Sequence, residues 1–142
     1  WTFIDDYPLL GDIVMAVFYS INPHLMRLVP IAGYMLCGIF AGQIYVVLLG
    51  EKDPFERRTA FWVAAAWALG LRPLALQANI LLVDTLAAGL TLGALAFFLQ
   101  RRPGWSGFWA ALALSTRYTT WANVAVIGLL WLWTVWLRFA CA

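Results

Sequence analysis

Long apolar segments separated by short polar ones make up most of this chain. The clearest runs from Leu25 to Gly50, where Arg27 near the start and Gln43 inside are the polar interruptions. A helix that crosses the hydrocarbon core of a bilayer needs about 20 mainly apolar residues. This segment therefore predicts a membrane-spanning helix, and Pro30 is tolerated in its first turns.

A proline marks a break in the apolar sequence that follows. Pro73 biases Arg72 away from helical backbone, and apolar segments lie on both sides of the break, at 59–71 and 78–100. We predict two crossings here, the first of them short. Before the long segment, a further amphipathic helix is predicted over 9–21, lying against the membrane or entering it.

The last third of the chain holds two apolar segments, 105–115 and 119–137, on either side of Arg117. They predict two short crossings, with a single long tilted helix over 106–137 as the alternative. The expected fold is all-α. We predict one domain over 1–142, a polytopic transmembrane helix bundle of about five to six hydrophobic helices, some of them short or broken.

Composition also indicates a membrane environment. Hydrophobic residues make up 64% of the chain and charged residues 11%, and the mean hydropathy is +0.83. Soluble domains are about 45–50% apolar and about 25% charged. The net charge of +2 is small and no basic cluster alternates with polar residues, so nucleic acid is not an expected partner. The expected partner is the lipid bilayer. We predict a multi-pass protein of the cell membrane, located in the bacterial inner membrane.

Three glycines lie near one side of the long apolar segment: Gly33, Gly38 and Gly42. Small residues at such spacing let helix backbones approach closely within a membrane. We expect these glycines to serve packing inside one bundle rather than dimerisation.

Basic residues predict how the helices are oriented. They fall at three places along the chain: Lys52 with Arg57 and Arg58, Arg101 with Arg102, and Arg138. Short cytoplasmic loops carry the excess of Lys and Arg, and an even number of predicted crossings separates each pair of places. The opposite, extracytoplasmic face then receives the N-terminal acids together with Arg72, Asp84 and Arg117.

Asp84 would lie about one turn inside the membrane on this topology. A bilayer penalises an ionisable side chain by a few kcal/mol, so such a residue is a candidate for function. We expect Asp84 to lie within reach of Arg72 or Arg117. Two interpretations stay open: an ion pair that holds two helices together, or a carboxylate that lines a substrate cavity.

Asp5 and Asp6 form the other concentrated group of charges. Adjacent carboxylates suit a divalent cation, which prefers hard oxygen ligands, or general-base catalysis; a solvated acidic loop is the alternative. His24 is the sole histidine, which excludes a site built from several histidines. Neither a phosphate-binding glycine loop nor a serine nucleophile motif is present.

Four landmarks, in their order along the chain, resemble one family: "DDYPLLGDIVMAVFYSI", the helix after "NPHLMR", "LGLRPLALQANILLVD", and "WSGFWAALALSTRYTTW". Together they are similar to the polytopic type C glycosyltransferases, which use sugars linked to polyprenyl or dolichyl phosphate. The family includes protein mannosyltransferases and aminoarabinose transferases. The resemblance covers nearly the whole chain, although "YPLL" lacks the family's second proline.

The resemblance implies transfer of a sugar from a polyprenyl-phosphate carrier to an acceptor on the extracytoplasmic side. Asp5 or Asp6 would act as general base or help to hold a divalent cation. Arg72 and Arg117 would face the carrier phosphate, with Tyr118 beside them. Asp84 would orient one of these arginines.

The chain begins at Trp1 without a recognisable signal peptide, and family members are much longer. We therefore expect it to be the N-terminal membrane portion of a longer protein. Fold resemblance alone does not establish activity. A non-catalytic accessory transmembrane subunit of a larger membrane complex, which would bind other subunits, is the competing hypothesis, and a small transporter fragment is a third.

Overall fold

A computed structural model describes residues 9–50, 53–70, 84–117 and 120–140, and the structural statements below concern these residues. They form helices and no strand, which confirms the all-α prediction. In chain order the elements are α1 (Leu9–Ile21), a 3₁₀ turn (Pro23–Arg27), α2 (Leu28–Leu49), α3 (Pro54–Gly70), α4 (Asp84–Leu99), α5 (Pro103–Thr116) and α6 (Trp121–Ala140).

Among the described helices, one is long and apolar enough to cross a membrane. It is the 27-residue stretch Pro23–Leu49, which joins the 3₁₀ turn to α2 and matches the segment predicted to span. α4 and the Trp121–Leu137 part of α6 are apolar but shorter. At 16 residues, α4 is roughly 24 Å long, less than the roughly 30 Å hydrocarbon core.

Local chemistry explains where α3 begins and where α5 ends. α3 starts before the predicted segment because Pro54 suits a first helical position and the Asp53 carboxylate accepts the Phe55 N–H at 2.9 Å. α5 ends where Arg117 adopts extended backbone (φ −153°, ψ 120°). The last third of the chain is therefore two helices, and the alternative of one long helix is wrong.

α2 lies at the centre of the bundle and packs against α3 on one side and α4 on the other. The three glycines make this possible, which confirms that they serve packing inside the bundle, but the prediction that they lie near one side of the helix is wrong, because they face two different neighbours. A methyl group added at Gly38 or Gly42 would lie 2.7 Å from the Leu69 side chain or 2.8 Å from the Phe61 side chain, both on α3. Gly33 instead faces the backbone at the start of α4. α4 also packs against α5, while α6 contacts both.

α4 ends in a turn that normally favours glycine. Arg101 has a φ of 59°. Its N–H donates to the Phe98 carbonyl and the Arg102 N–H donates to the Phe97 carbonyl, both at 2.9 Å.

We expect Arg101→Gly to raise the free energy of unfolding by about 1 kcal/mol, because left-handed backbone is strained in a residue with a Cβ. Gly50, at the end of α2, has the same conformation (φ 63°), so Gly50→Ala should have the opposite effect. Thermal unfolding of the purified variants in detergent measures both, and two unchanged midpoints would contradict the prediction.

Candidate functional site

An ion pair lies where α4 begins and α5 ends. α4 and α5 run antiparallel and are joined by the Arg101–Arg102 turn, so the first residue of α4 meets the residue that follows α5. There the Arg117 Nη1 contacts the Asp84 Oδ1. The two side chains keep 30% and 26% of their surface exposed, so the pair is only partly enclosed. The expectation that Asp84 lies within reach of Arg72 or Arg117 is confirmed for Arg117.

Hydrogen bonds hold the backbone of Arg117 at the break between α5 and α6. Its N–H donates to the Ala113 carbonyl at 3.0 Å. Its own carbonyl accepts two bonds from Thr120, from the N–H at 3.1 Å and from Oγ1 at 2.7 Å. These bonds fix the Arg117 backbone at the end of α5, from where its guanidinium contacts the start of α4.

The start of α4 is fastened to α2 directly beside Asp84. Thr85 is fully buried, and its Oγ1 donates to the Pro30 carbonyl at 3.1 Å. The Cys37 thiol of α2 lies 3.7 Å from the Thr85 carbonyl oxygen. Asp84 itself lies in the first turn of α4, where the helix dipole favours a negative charge. These contacts fix the carboxylate relative to two helices.

A second polar link closes this end of the bundle. The Tyr34 hydroxyl, on α2, donates to the Leu69 carbonyl in the last turn of α3. Carbonyls in a last helical turn lack intrahelical partners, so this bond satisfies one of them. Sequence reasoning missed both Thr85 and Tyr34. The signals available were a hydroxyl next to Asp84 and a phenol inside an apolar helix.

The other predicted site residues lie outside the described part of the chain. These are Asp5, Asp6, Arg72 and Tyr118. Their roles, including any coordination of a divalent cation, stay predictions. Among the described residues no group of three His, Cys, Asp or Glu side chains is placed to hold a metal ion.

A cavity of about 720 Å³ lies at the other end of the bundle. We call it the basic-end cavity. It is lined by Gln43, Val46, Val47, Pro54, Arg57, Arg58, Phe61, Gln100 and Arg102. Arg57 and Arg58 line the same cavity as Arg102, so residues from two of the three basic places predicted to share one side lie at one end of the bundle. That this end faces the cytoplasm stays a prediction.

The Asp84–Arg117 pair has the chemistry of an anion site. A guanidinium carries five N–H donors in a planar fork, and the contact with Asp84 occupies Nη1. The contact leaves the other N–H donors of Arg117 for a further hydrogen-bond acceptor, and it links the guanidinium to the start of α4. Comparison with protein-family models, with curated proteins and with solved structures gives no match for this chain.

Proposed function

We propose that this chain is the membrane portion of a multi-pass transferase of the type C glycosyltransferase kind, which moves a sugar from a polyprenyl-phosphate carrier. The observation that supports this most is the Asp84–Arg117 pair. It is a partly exposed ion pair, held by backbone bonds, at the end of the bundle opposite the basic loops. Short cytoplasmic loops carry the excess of Lys and Arg, so we propose that the pair lies at the extracytoplasmic face, where the resemblance puts the reaction.

The outward surface of the helices supports the membrane part of this proposal. Large apolar side chains are widely exposed: Leu48 is 68% exposed, Trp67 71% and Leu132 66%. Soluble monomers rarely expose contiguous apolar patches larger than a few hundred Å². Acyl chains around α2, α3 and α6 would cover these faces, which supports several crossings of a cell membrane. We propose the bacterial inner membrane as that membrane.

In the proposed reaction the acceptor hydroxyl attacks the anomeric carbon, and the bond from that carbon to the phosphate oxygen breaks. The carrier phosphate leaves with the bonding electrons and gains negative charge. Arg117 would stabilise that charge, because a planar guanidinium binds two phosphate oxygens at once. Asp84 would hold the guanidinium in place, and Asp5 or Asp6 would accept the proton of the hydroxyl.

Binding of undecaprenyl phosphate by the full-length protein in detergent tests the carrier site. We expect Arg117→Gln to weaken the affinity by about tenfold or more, because a hydrogen bond to a charged group contributes about 1.5–3 kcal/mol. Arg117→Lys, which keeps the charge but loses the fork, should give an intermediate loss. Tryptophan fluorescence during titration provides the readout.

Arg27→Gln is the matched control for this experiment. Arg27 is an exposed arginine just before α2 and at the same end of the bundle, yet it does not pair with Asp84. Its replacement should leave the affinity unchanged. Equal affinities for Arg117→Gln and the unsubstituted protein would overturn the carrier site. A full-length protein that does not bind the lipid but copurifies stoichiometrically with other membrane proteins would favour the accessory subunit.

A further inference from the structure

We propose that the basic-end cavity is a second, separate phosphate-ester site, and that it takes the headgroup of an anionic phospholipid. The site is distinct from the Asp84–Arg117 pair, because it lies at the other end of α4 and α5. It does not depend on the transferase proposal. It rests on three properties of the cavity: its charges, its amide groups and its apolar wall.

Three arginines from two parts of the chain line the cavity. Arg57 and Arg58 come from the first turns of α3, and Arg102 comes from the turn after α4. No carboxylate of the described residues lines the cavity, and none forms an ion pair with these arginines. Glu56, the acid in the first turn of α3, is exposed and is not part of the wall. Such a concentration of unpaired positive charge favours an anion.

Two amides lie between the arginines and the interior of the bundle. Gln100 Nε2 donates to Gln43 Oε1 over 3.4 Å, a long hydrogen bond between partly buried side chains. Each amide group carries two N–H donors, so the Gln43 donors and one Gln100 donor are available to a ligand. Amide donors and hydrogen-bonding carbonyls suit the ester oxygens and hydroxyl groups of a headgroup. They add directional contacts to the charge of the arginines.

Part of the cavity wall is apolar, and this favours a lipid over a soluble phosphate. Val46, Val47 and Phe61 line it, and α2 continues from there into the apolar part of the bundle. A volume of about 720 Å³ is within the usual range for a small-molecule site. Basic pockets between transmembrane helices at the cytoplasmic side bind anionic headgroups, and the basic loops predict that side here.

The test uses the full-length protein and native mass spectrometry after reconstitution with phosphatidylglycerol or with phosphatidylcholine. We expect selective retention of phosphatidylglycerol. Arg57→Gln and Arg102→Gln should each lower this retention by about tenfold, the loss expected for one charged hydrogen bond. Arg101→Gln is the matched control, because Arg101 carries the same charge in the same turn but does not line the cavity. It should retain the lipid as the unsubstituted protein does.

Two results would overturn the proposal. Equal losses for Arg101→Gln and Arg102→Gln would mean that diffuse attraction to a basic surface explains retention. Binding of glycerol 3-phosphate or inorganic phosphate without retention of phosphatidylglycerol would exclude the lipid as the source of the phosphate. Displacement of bound phosphatidylglycerol by glycerol 3-phosphate would support the site.

The two proposals can fail independently. Arg117→Gln should leave phosphatidylglycerol retention unchanged, and Arg102→Gln should leave the affinity for undecaprenyl phosphate unchanged. Loss of both activities in one variant, with the thermal unfolding midpoint preserved, would contradict the separation of the two sites.

Discussion

Gly33→Ala is expected to lower the free energy of unfolding by about 3 kcal/mol, and Gly33→Leu by more. The reason is the close crossing of α2 and α4. A methyl group at Gly33 would lie 2.5 Å from the carbonyl carbon of Thr85, and one at Gly89 would lie 2.8 Å from the Gly33 oxygen. Backbone atoms cannot rotate away as the end of a flexible side chain can. The two helices must therefore separate, which also breaks the Thr85–Pro30 hydrogen bond.

Gly107→Ala is the matched control for the crossing. Gly107 also lies inside a helix, α5, but a methyl group there has no neighbour within 4 Å among the described residues. Alanine favours helix over glycine by about 1 kcal/mol, so this variant should be slightly more stable. Unfolding of both variants in detergent, with the unsubstituted protein alongside, measures the difference. If Gly33→Ala is as stable as Gly107→Ala, α2 and α4 do not cross at this distance.

The second large effect concerns the Asp84–Arg117 pair. Asp84→Asn or Arg117→Gln alone should each cost about 2 kcal/mol of stability. Removal of one partner from a fully buried pair costs about 3–5 kcal/mol, and the 26% and 30% exposure of these side chains reduces that cost. The double variant should lose less than the two single losses added together, because it leaves no unpaired charge. A double-mutant cycle on thermal or denaturant unfolding measures this coupling.

Stability, lipid affinity and transfer activity of the same variants together separate the two interpretations of the pair. Additive losses would show that the two charges do not interact in the folded protein. If Asp84→Asn lowers the stability but does not change the affinity for undecaprenyl phosphate, the ion pair only holds two helices together. Full transfer activity together with unchanged stability in Asp84→Asn would contradict the proposed role of Asp84 in positioning Arg117.

Several elements were predictable because each depends on neighbouring residues alone. The apolar length of the segment beginning at Leu25 predicted the longest helix, and the spacing of Gly33, Gly38 and Gly42 predicted close packing. The sequence predicted a later start for α3 than the structure shows. The polar residues after Gly50 were interpreted as a loop, whereas Asp53 and the proline that follows it begin a helix there.

Aromatic side chains show where sequence reasoning failed. Tryptophan favours the membrane interface, so sequence alone predicts Trp109 near a helix end. In the structure it lies within α5, with ring centroids 4.9 Å from Phe40 and 6.2 Å from Phe97. Hydropathy does not distinguish a tryptophan that faces lipid from one that packs between helices. Both environments are apolar.

The sequence by itself determined that the described segments are helical, where the long helix lies, and that Arg57 and Arg58 share one end of the bundle with Arg102. Only the tertiary structure decided that Gly33 faces α4 while Gly38 and Gly42 face α3, and that Thr85 fastens α4 beside Asp84. It also placed Gln43 against Gln100. The physical reason is that these helices are apolar on nearly every side, so no alternation of polar and apolar residues marks the buried face. Packing of small residues and a few polar contacts between helices select it instead.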